Sequence, residues 1–294
     1  MSLSPETTGA IYDIGYRHYD GPRLGRRGAI GAVVGAGLRA VFGLGRSGRS
    51  KIIPWGAVIL GTLPAVVAVA VRVLAGDLLD LYSYDNYLWG IGSLMIIFVA
   101  AQAPELVVND IRHRVLPLYF SRPMSRFDYV TAKLGALSLG LLALTLVPVL
   151  VLFVGRLLAA EDLVAALGEE ARSLPAIIGS GLLHAIVLAS LALAISSLAG
   201  RRAYAAGAVL ALFLIGGVVG EVLSAGSGGF PDVAPFLNPL AILDGVREWL
   251  FGGSVAESPV GRANVPLLAY GIATLILAAL AWAILAIRYR RISS

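Results

Sequence analysis

The sequence predicts an all-α polytopic membrane protein: six transmembrane helices, an in-plane amphipathic helix ahead of them, and both termini in the cytoplasm. Three observations carry that prediction. Only 14% of the 294 residues are Asp, Glu, Lys or Arg, against roughly 25% in a soluble domain. The apolar residues fall in runs of about 20, long enough to cross a hydrocarbon core of ~30 Å. Lys and Arg gather in alternate loops, as expected of a chain that threads back and forth with its basic loops inside. There are no cysteines, which excludes a disulfide framework and a cysteine metal site.

Residues 1–51 read as a cytoplasmic segment. The first 27 are charged and lack the apolar core of a cleavable signal peptide. In GAIGAVVGAGLRAVFGLG, residues 28–45, Ile30, Val34, Leu38 and Phe42 recur at helical spacing with one charge, Arg39. A helix lying in the cytoplasmic interface fits this run, which is too short for a seventh span and would sink Arg39 in hydrocarbon. Its six glycines leave a flexible linker as the alternative. The stretch GLGRSGRS at 43–50 matches G-x-G-x-x-G and nearly matches a phosphate-binding loop, with Arg49 in place of the lysine. Without a strand before it and a soluble helix after it, it reads as a basic join beside lipid phosphates.

The transmembrane domain, 52–287, holds candidate spans at 52–75, 86–104, 132–155, 175–199, 203–224 and 265–287. Pro64 and Pro148 fall inside spans one and three and are expected to kink them, since neighbouring helices can satisfy the freed carbonyls. Trp55, Tyr87, Trp89, Trp282 and Tyr289 stand at or near span ends, at headgroup level. With the amino terminus inside, 18 of the 23 Lys and Arg residues are cytoplasmic, including the tail 288–294. Arg72, Arg156, Arg172, Arg247 and Arg262 are left outside. The basic balance therefore reflects topology and attraction to anionic membrane lipids, and no nucleic-acid partner is expected.

Two outer loops have helical character. In the loop 225–264, Asn238 followed by Pro239 signals a helix through PLAILDGVREWLF, whose Leu240, Leu243, Trp249, Leu250 and Phe251 would dip into the outer interface, as a short re-entrant or interfacial helix near the outer mouth. Residues 160–172 contain an acidic helix that is most simply solvated.

A secondary transporter needs ionisable groups near the membrane midplane. His184 is the best candidate, with Glu221 near the outer end of span five and Gln102 near the inner end of span two as further pathway residues. A lone histidine in a bundle more often bonds a neighbouring hydroxyl or carbonyl. Gly216 and Gly220 in span five have the spacing of close helix packing, within the chain or across a dimer. No HExxH, GxSxG or one-span acid cluster is present, so no catalytic residue and no metal site is assigned. Movement of a solute would need an energy source outside this polypeptide.

The segment from Glu105 to Lys133 carries the most chemistry. Val107, Ile111 and Val115 share one helical face, with Glu105, Asn109, Asp110, Arg112, His113 and Arg114 largely elsewhere. That pattern predicts a short amphipathic helix over about 105–117, stopped before Pro117. Ser125 precedes Asp128 by three, a capping-box arrangement that starts a helix into span three. Arg126 and Lys133 share a face of that helix at the membrane border, and Tyr119 and Phe120 are left exposed between the two helices.

The string ELVVNDIRHRVLPLYFSRPMSRFDYVTAK resembles the first cytoplasmic loop of type-2 ABC transporter permeases. That pattern is an acidic residue, a short helix, then L-x-R-P-x-S-R, a tyrosine or other aromatic, and a lysine entering the third span. Glu105 or Asp110 stands at the acidic place, followed by Ser121, Arg122, Pro123, Ser125, Arg126, Tyr129 and Lys133. The usual leucine before the motif is aromatic here. YDIGYRHYDGPRLGRR near the amino terminus resembles the lead-in of permeases from high-GC Gram-positive bacteria.

The resemblance implies a permease subunit in a bacterial plasma membrane. It implies a second permease chain, the same or similar, and two copies of a nucleotide-binding ATPase subunit that hold the ATP and Mg, with no cofactor in this chain. Residues 105–117 would be the coupling helix and 28–45 the connecting helix. Glu105, Asp110, Arg112, His113, Arg114, Tyr119, Arg122, Ser125 and Arg126 would meet the ATPase. Substrate would pass between the two permeases, mainly along spans one, two and five, usually outward. The apolar spans suit a lipid or amphiphilic drug better than a sugar or ion. A stand-alone channel or secondary carrier, and a membrane anchor without transport, remain the alternatives.

Overall fold

The computed structural model describes residues 21, 24–75, 81–225, 230–253 and 258–291. The lead-in from Tyr12 to Asp20 and the last three residues of the tail lie outside the described residues. Among the described residues the regular structure is helical: α1 (Gly25–Val41), α2 (Arg49–Ala75), α3 (Tyr84–Gly90), α4 (Gly92–Arg112), α5 (Leu116–Phe120) and α6 (Arg126–Ala159) in the first half. The second half holds α7 (Leu163–Glu170), α8 (Leu174–Leu198), α9 (Arg202–Ala225), α10 (Pro239–Phe251), α11 (Pro259–Arg262) and α12 (Leu267–Arg291).

Six segments, Arg49–Leu74, Gly92–Arg112, Arg126–Ala159, Leu163–Leu198, Arg202–Ala225 and Leu267–Arg291, are long and apolar enough to cross a membrane. They correspond one for one to the six expected spans. Pro54 and Pro64 lie within α2 and Pro148 within α6, and none of them ends its helix. At about 1.5 Å per residue α6 is roughly 51 Å long, so it outreaches the hydrocarbon at its ends.

The core sits where α4, α6 and α8 meet, filled by Phe98, Leu137, Leu141, Leu144 and Leu188. α2, α9 and α12 surround it and keep Ile59, Leu63, Leu214, Val218 and Leu275 exposed. A helix apolar on its outward side too is the signature of a lipid-facing element.

The glycine-rich run of the amino-terminal segment is an ordered helix. Val33, Gly37 and Val41 are the buried stripe of α1, Ile30, Val34, Leu38 and Phe42 are half-buried beside it, and Arg39 is exposed. Close approach explains the glycine: a Cβ on Gly37 would stand 2.7 Å from the Ala136 Cβ of α6.

Three expectations are corrected. The separate helix over 105–117 does not form. α4 runs on through Pro104 to Arg112, because Leu106, Val107 and Val108 are buried against neighbouring helices and this packing outweighs the proline. The chain breaks only at Arg114, which holds a left-handed φ of 53°, and Pro117 then lies in the first turn of α5 instead of ending a helix.

The second correction concerns α10. Asn238 caps it as expected, accepting the Leu240 N–H at 3.0 Å. Of the expected interface residues, Leu243 does not face outward: it is buried together with Arg247 and Glu248, as the re-entrant reading requires, while Trp249 and Leu250 remain outside. The third concerns Gly216 and Gly220, which do not meet another span. A Cβ there would stand 2.5 Å from the Leu237 carbonyl oxygen and 3.0 Å from that of Ala234. Leu237 therefore lies beside a point about 13 Å along α9 from its end at Ala225, and the segment before α10 is re-entrant.

Candidate functional site

The 105–133 segment is built around three carboxylates. Glu105, buried in α4, pairs with Arg46 from the turn after α1 and with Arg202 from the start of α9. Asn109 donates its amide to the same carboxylate at 3.4 Å. One acid thus gathers three separate parts of the chain.

Asp110 lies near the end of α4. Its carboxylate accepts the Tyr129 hydroxyl at 2.7 Å and pairs with Lys133 Nζ at 2.7 Å, both from the first turns of α6. The ammonium also lies over the rings of Tyr119 and Tyr129, at 5.8 and 5.3 Å from their centroids. Tyr129 packs in turn on Tyr119, Phe120 and Tyr289, with centroids 5.3, 6.3 and 5.5 Å apart. Burial, and next the Asp110 charge, push the Tyr119 phenol above its ordinary pKa, so it remains a neutral packing group at physiological pH.

Asp128 completes the frame. It forms the anticipated capping box with Ser125, whose hydroxyl accepts the Asp128 N–H at 3.2 Å while the Ser125 N–H donates to the carboxylate at 2.8 Å. The same carboxylate receives a two-pronged bond from Arg26 of α1, at 2.8 and 2.7 Å. Ile30 and Val34 of α1, with Tyr119, pack in the same region against the small core of Val33, Met124 and Ala132. α1 is thereby fixed to the start of α6.

Both acids proposed for the docking surface are consumed internally. Tyr119 and Phe120 are half-buried, not exposed, and the Ser125 side chain is spent on its cap. What faces outward is a shelf: Arg112, His113 and Arg114 where α4 ends, Leu118 on α5, then Arg122 and Arg126. His113 holds the Asn109 carbonyl at 2.9 Å, and Leu118 is 69% exposed. Lone exposed leucines are common, but this one stands on a five-residue helix with Arg112 and Arg114 before it in the sequence and Arg122 and Arg126 after it.

The three pathway candidates have different surroundings. Gln102 is buried in α4. Glu221 is half-exposed on α9 and pairs with Arg262 at 2.7 Å. His184 is buried in α8, with Nδ1 2.9 Å from the Ser180 carbonyl and Nε2 3.7 Å from Asp244 of α10.

That last contact leads to a cluster that the sequence reading missed. The fully buried Arg247 bonds Asp244 and Asp85, each at 2.5 Å, and approaches Glu248 at 4.0 Å, which accepts the Ser258 hydroxyl at 3.1 Å. A single guanidinium here joins α10 to α3. The only local signal is the three-residue spacing of Asp244 and Arg247, which any helix surface can show.

Comparison with curated proteins finds no match. A family model described as ABC-2 family transporter protein matches residues 78–288, well over half of the chain. The match takes in α3 to α6, with the whole 105–133 segment, and continues into α12. On that evidence the chain belongs to the ABC-2 family of transporter proteins.

Proposed function

We propose that this chain is the permease subunit of an ATP-driven exporter and that the shelf from Arg112 to Arg126 docks a separate nucleotide-binding ATPase. The observation that carries this reading is the contrast within one segment. Its outer side is basic and offers the exposed Leu118, whereas its inner side is tied to α1, α4, α6 and α9 through Asp128, Asp110 and Glu105. Movement imposed on α5 would pass through those ties into two core helices. ATP and Mg belong to the ATPase, two copies of which serve a pair of permeases. The exposed apolar faces of α2 and α9 suit a second permease chain, with a lipid-like or amphiphilic solute moving outward between them. The basic end, with both termini, faces the cytoplasm of a bacterial plasma membrane.

The absence of native cysteines makes the test direct. Leu118→Cys, co-expressed with the cognate nucleotide-binding subunit, is expected to cross-link to it, whereas Trp249→Cys, equally exposed at the opposite end, is not. Cross-linking that favours Trp249→Cys would contradict the reading. A stand-alone ion-driven carrier is the second reading, favoured by the approach of His184 to Asp244. Flux driven by an ion gradient in liposomes holding only this chain would establish it.

A further inference from the structure

The docking reading makes no use of the buried charges around α10. His184 is buried in α8, and its Nδ1 lies 2.9 Å from the Ser180 carbonyl one turn back, with the Ser180 hydroxyl farther off at 3.4 Å. A carbonyl oxygen only accepts, so Nδ1 carries a hydrogen. In a neutral ring that leaves Nε2 bare, and Nε2 is the atom 3.7 Å from the Asp244 carboxylate. A bare nitrogen and a carboxylate, both acceptors, give each other nothing until a proton sits between them.

The surroundings favour positive charge. Asp244 shares Arg247 with Asp85, each at 2.5 Å, and Glu248 approaches the same guanidinium at 4.0 Å, so one arginine meets three carboxylates. Tyr270 of α12, buried against Gly245, is the further titratable group beside α10. Charged groups of the other helices packed on α8 are engaged elsewhere. Glu105 and Asp110 of α4 hold Arg46, Arg202 of α9 and Lys133 of α6, while Arg288 of α12 donates to the Ser197 carbonyl. Arg156 of α6 pairs with Glu170 and Glu221 of α9 with Arg262; Arg172, just before α8, is exposed.

We infer that His184 is a proton-binding site, in which a second proton on Nε2 turns the contact with Asp244 into an ion pair that seats α10 against α8. Loss of that proton returns two facing acceptors and loosens α10. Through Arg247 the change reaches Asp85 on α3, which together with Phe251 and Gly253 at the end of α10 lines a cavity of about 500 Å³. Imidazoles change charge between about pH 5 and 8, so the seat is firm at the acid end of that range and weakens as pH rises. The proton is held and not carried across the membrane, so the inference stands whether or not an ATPase docks.

Two measurements on the full chain in lipid nanodiscs test this. The chain has three histidines, so His18→Gln with His113→Gln leaves His184 alone for nitrogen-15 NMR of the labelled imidazole. The expected spectra show both ring nitrogens protonated at about pH 5.5 and a hydrogen on Nδ1 alone at about pH 8.5. The second measurement follows maleimide labelling of Ala241→Cys, a buried position of α10 in a chain without native cysteine. Trp249→Cys, exposed on the same helix, corrects for the reactivity of the thiol itself. Corrected labelling should rise about threefold or more over the same pH range. Adding His184→Gln should make it flat. Adding Tyr270→Phe, which removes a hydroxyl with no hydrogen-bond partner among the described residues, should leave the rise in place. Thermal melting confirms that each variant is folded.

A single protonation state across the range, or a neutral ring with its hydrogen on Nε2, would overturn the inference. A rise that survives His184→Gln would place the titrating group elsewhere. A His184 that titrates while labelling stays flat would mean that its proton does not govern the seat of α10. Either result contradicts the proposed site.

Discussion

Lys133 Nζ stands 2.7 Å from the Asp110 carboxylate, which also accepts the Tyr129 hydroxyl, so one acid fastens the end of α4 to the first turns of α6. Both partners are largely buried, and removing one leaves the other as an uncompensated charge. Lys133→Met is expected to cost about 3 kcal/mol, with part of the loss recovered in Lys133→Met with Asp110→Asn. Thermal unfolding in detergent checks both.

Arg26 and Asp128 form a two-pronged pair of unequal partners. The Arg26 side chain is 64% exposed, whereas that of Asp128 is buried and also closes a capping box. Arg26→Ala should lower the melting temperature only slightly, because its guanidinium is mostly in solvent, and Asp128→Ala should lower it further through loss of the capping box. Both changes should speed amide exchange in α1, and only Asp128→Ala should speed it in the first turn of α6.

Arg247 is the most demanding position. It faces Asp85, Asp244 and Glu248 with no solvent exposure, so Arg247→Met leaves three carboxylates with no guanidinium among them. A loss of about 3–5 kcal/mol is expected. Arg247→Lys should recover only part, because a single ammonium cannot reproduce the fork that spans Asp85 and Asp244. Melting temperatures of the two variants, ranked against the parent, decide this.

Gly216 tests the re-entrant segment. The alanine methyl of Gly216→Ala would press on the Leu237 carbonyl oxygen at 2.5 Å, a backbone atom that cannot swing aside. A loss of about 1–3 kcal/mol is expected. Gly207→Ala in the same helix meets nothing within 4 Å and should be neutral or mildly stabilising.

These contrasts show where the sequence was informative. The six spans, the Asn238 cap and the box from Ser125 to Asp128 were legible because each depends on residues a few positions apart. The continuation of α4 past Pro104 was not, because the local proline rule loses to packing of Leu106, Val107 and Val108 that only the fold supplies. The partners of Glu105 were hidden for the same reason, since Arg46 and Arg202 come from opposite halves of the chain. Arg247 looked like an ordinary outer-loop charge because nothing near it in sequence reveals its partner Asp85 on α3. The motif thus drew attention to the segment, while the division of its residues between inner ties and outer shelf required the three-dimensional structure.

The central claim is that an ATPase drives this permease by pressing on the shelf. It is tested most directly by the ATP hydrolysis rate of the nucleotide-binding subunit, alone and co-reconstituted with this chain, using parent, Leu118→Asp and Arg122→Glu. The account predicts that the parent chain alters the rate several-fold. It predicts that the two variants, folded and melting within about 0.5 kcal/mol of the parent in stability, lose most of that effect. An ATPase rate indifferent to the permease, or unchanged coupling in both variants, would contradict it.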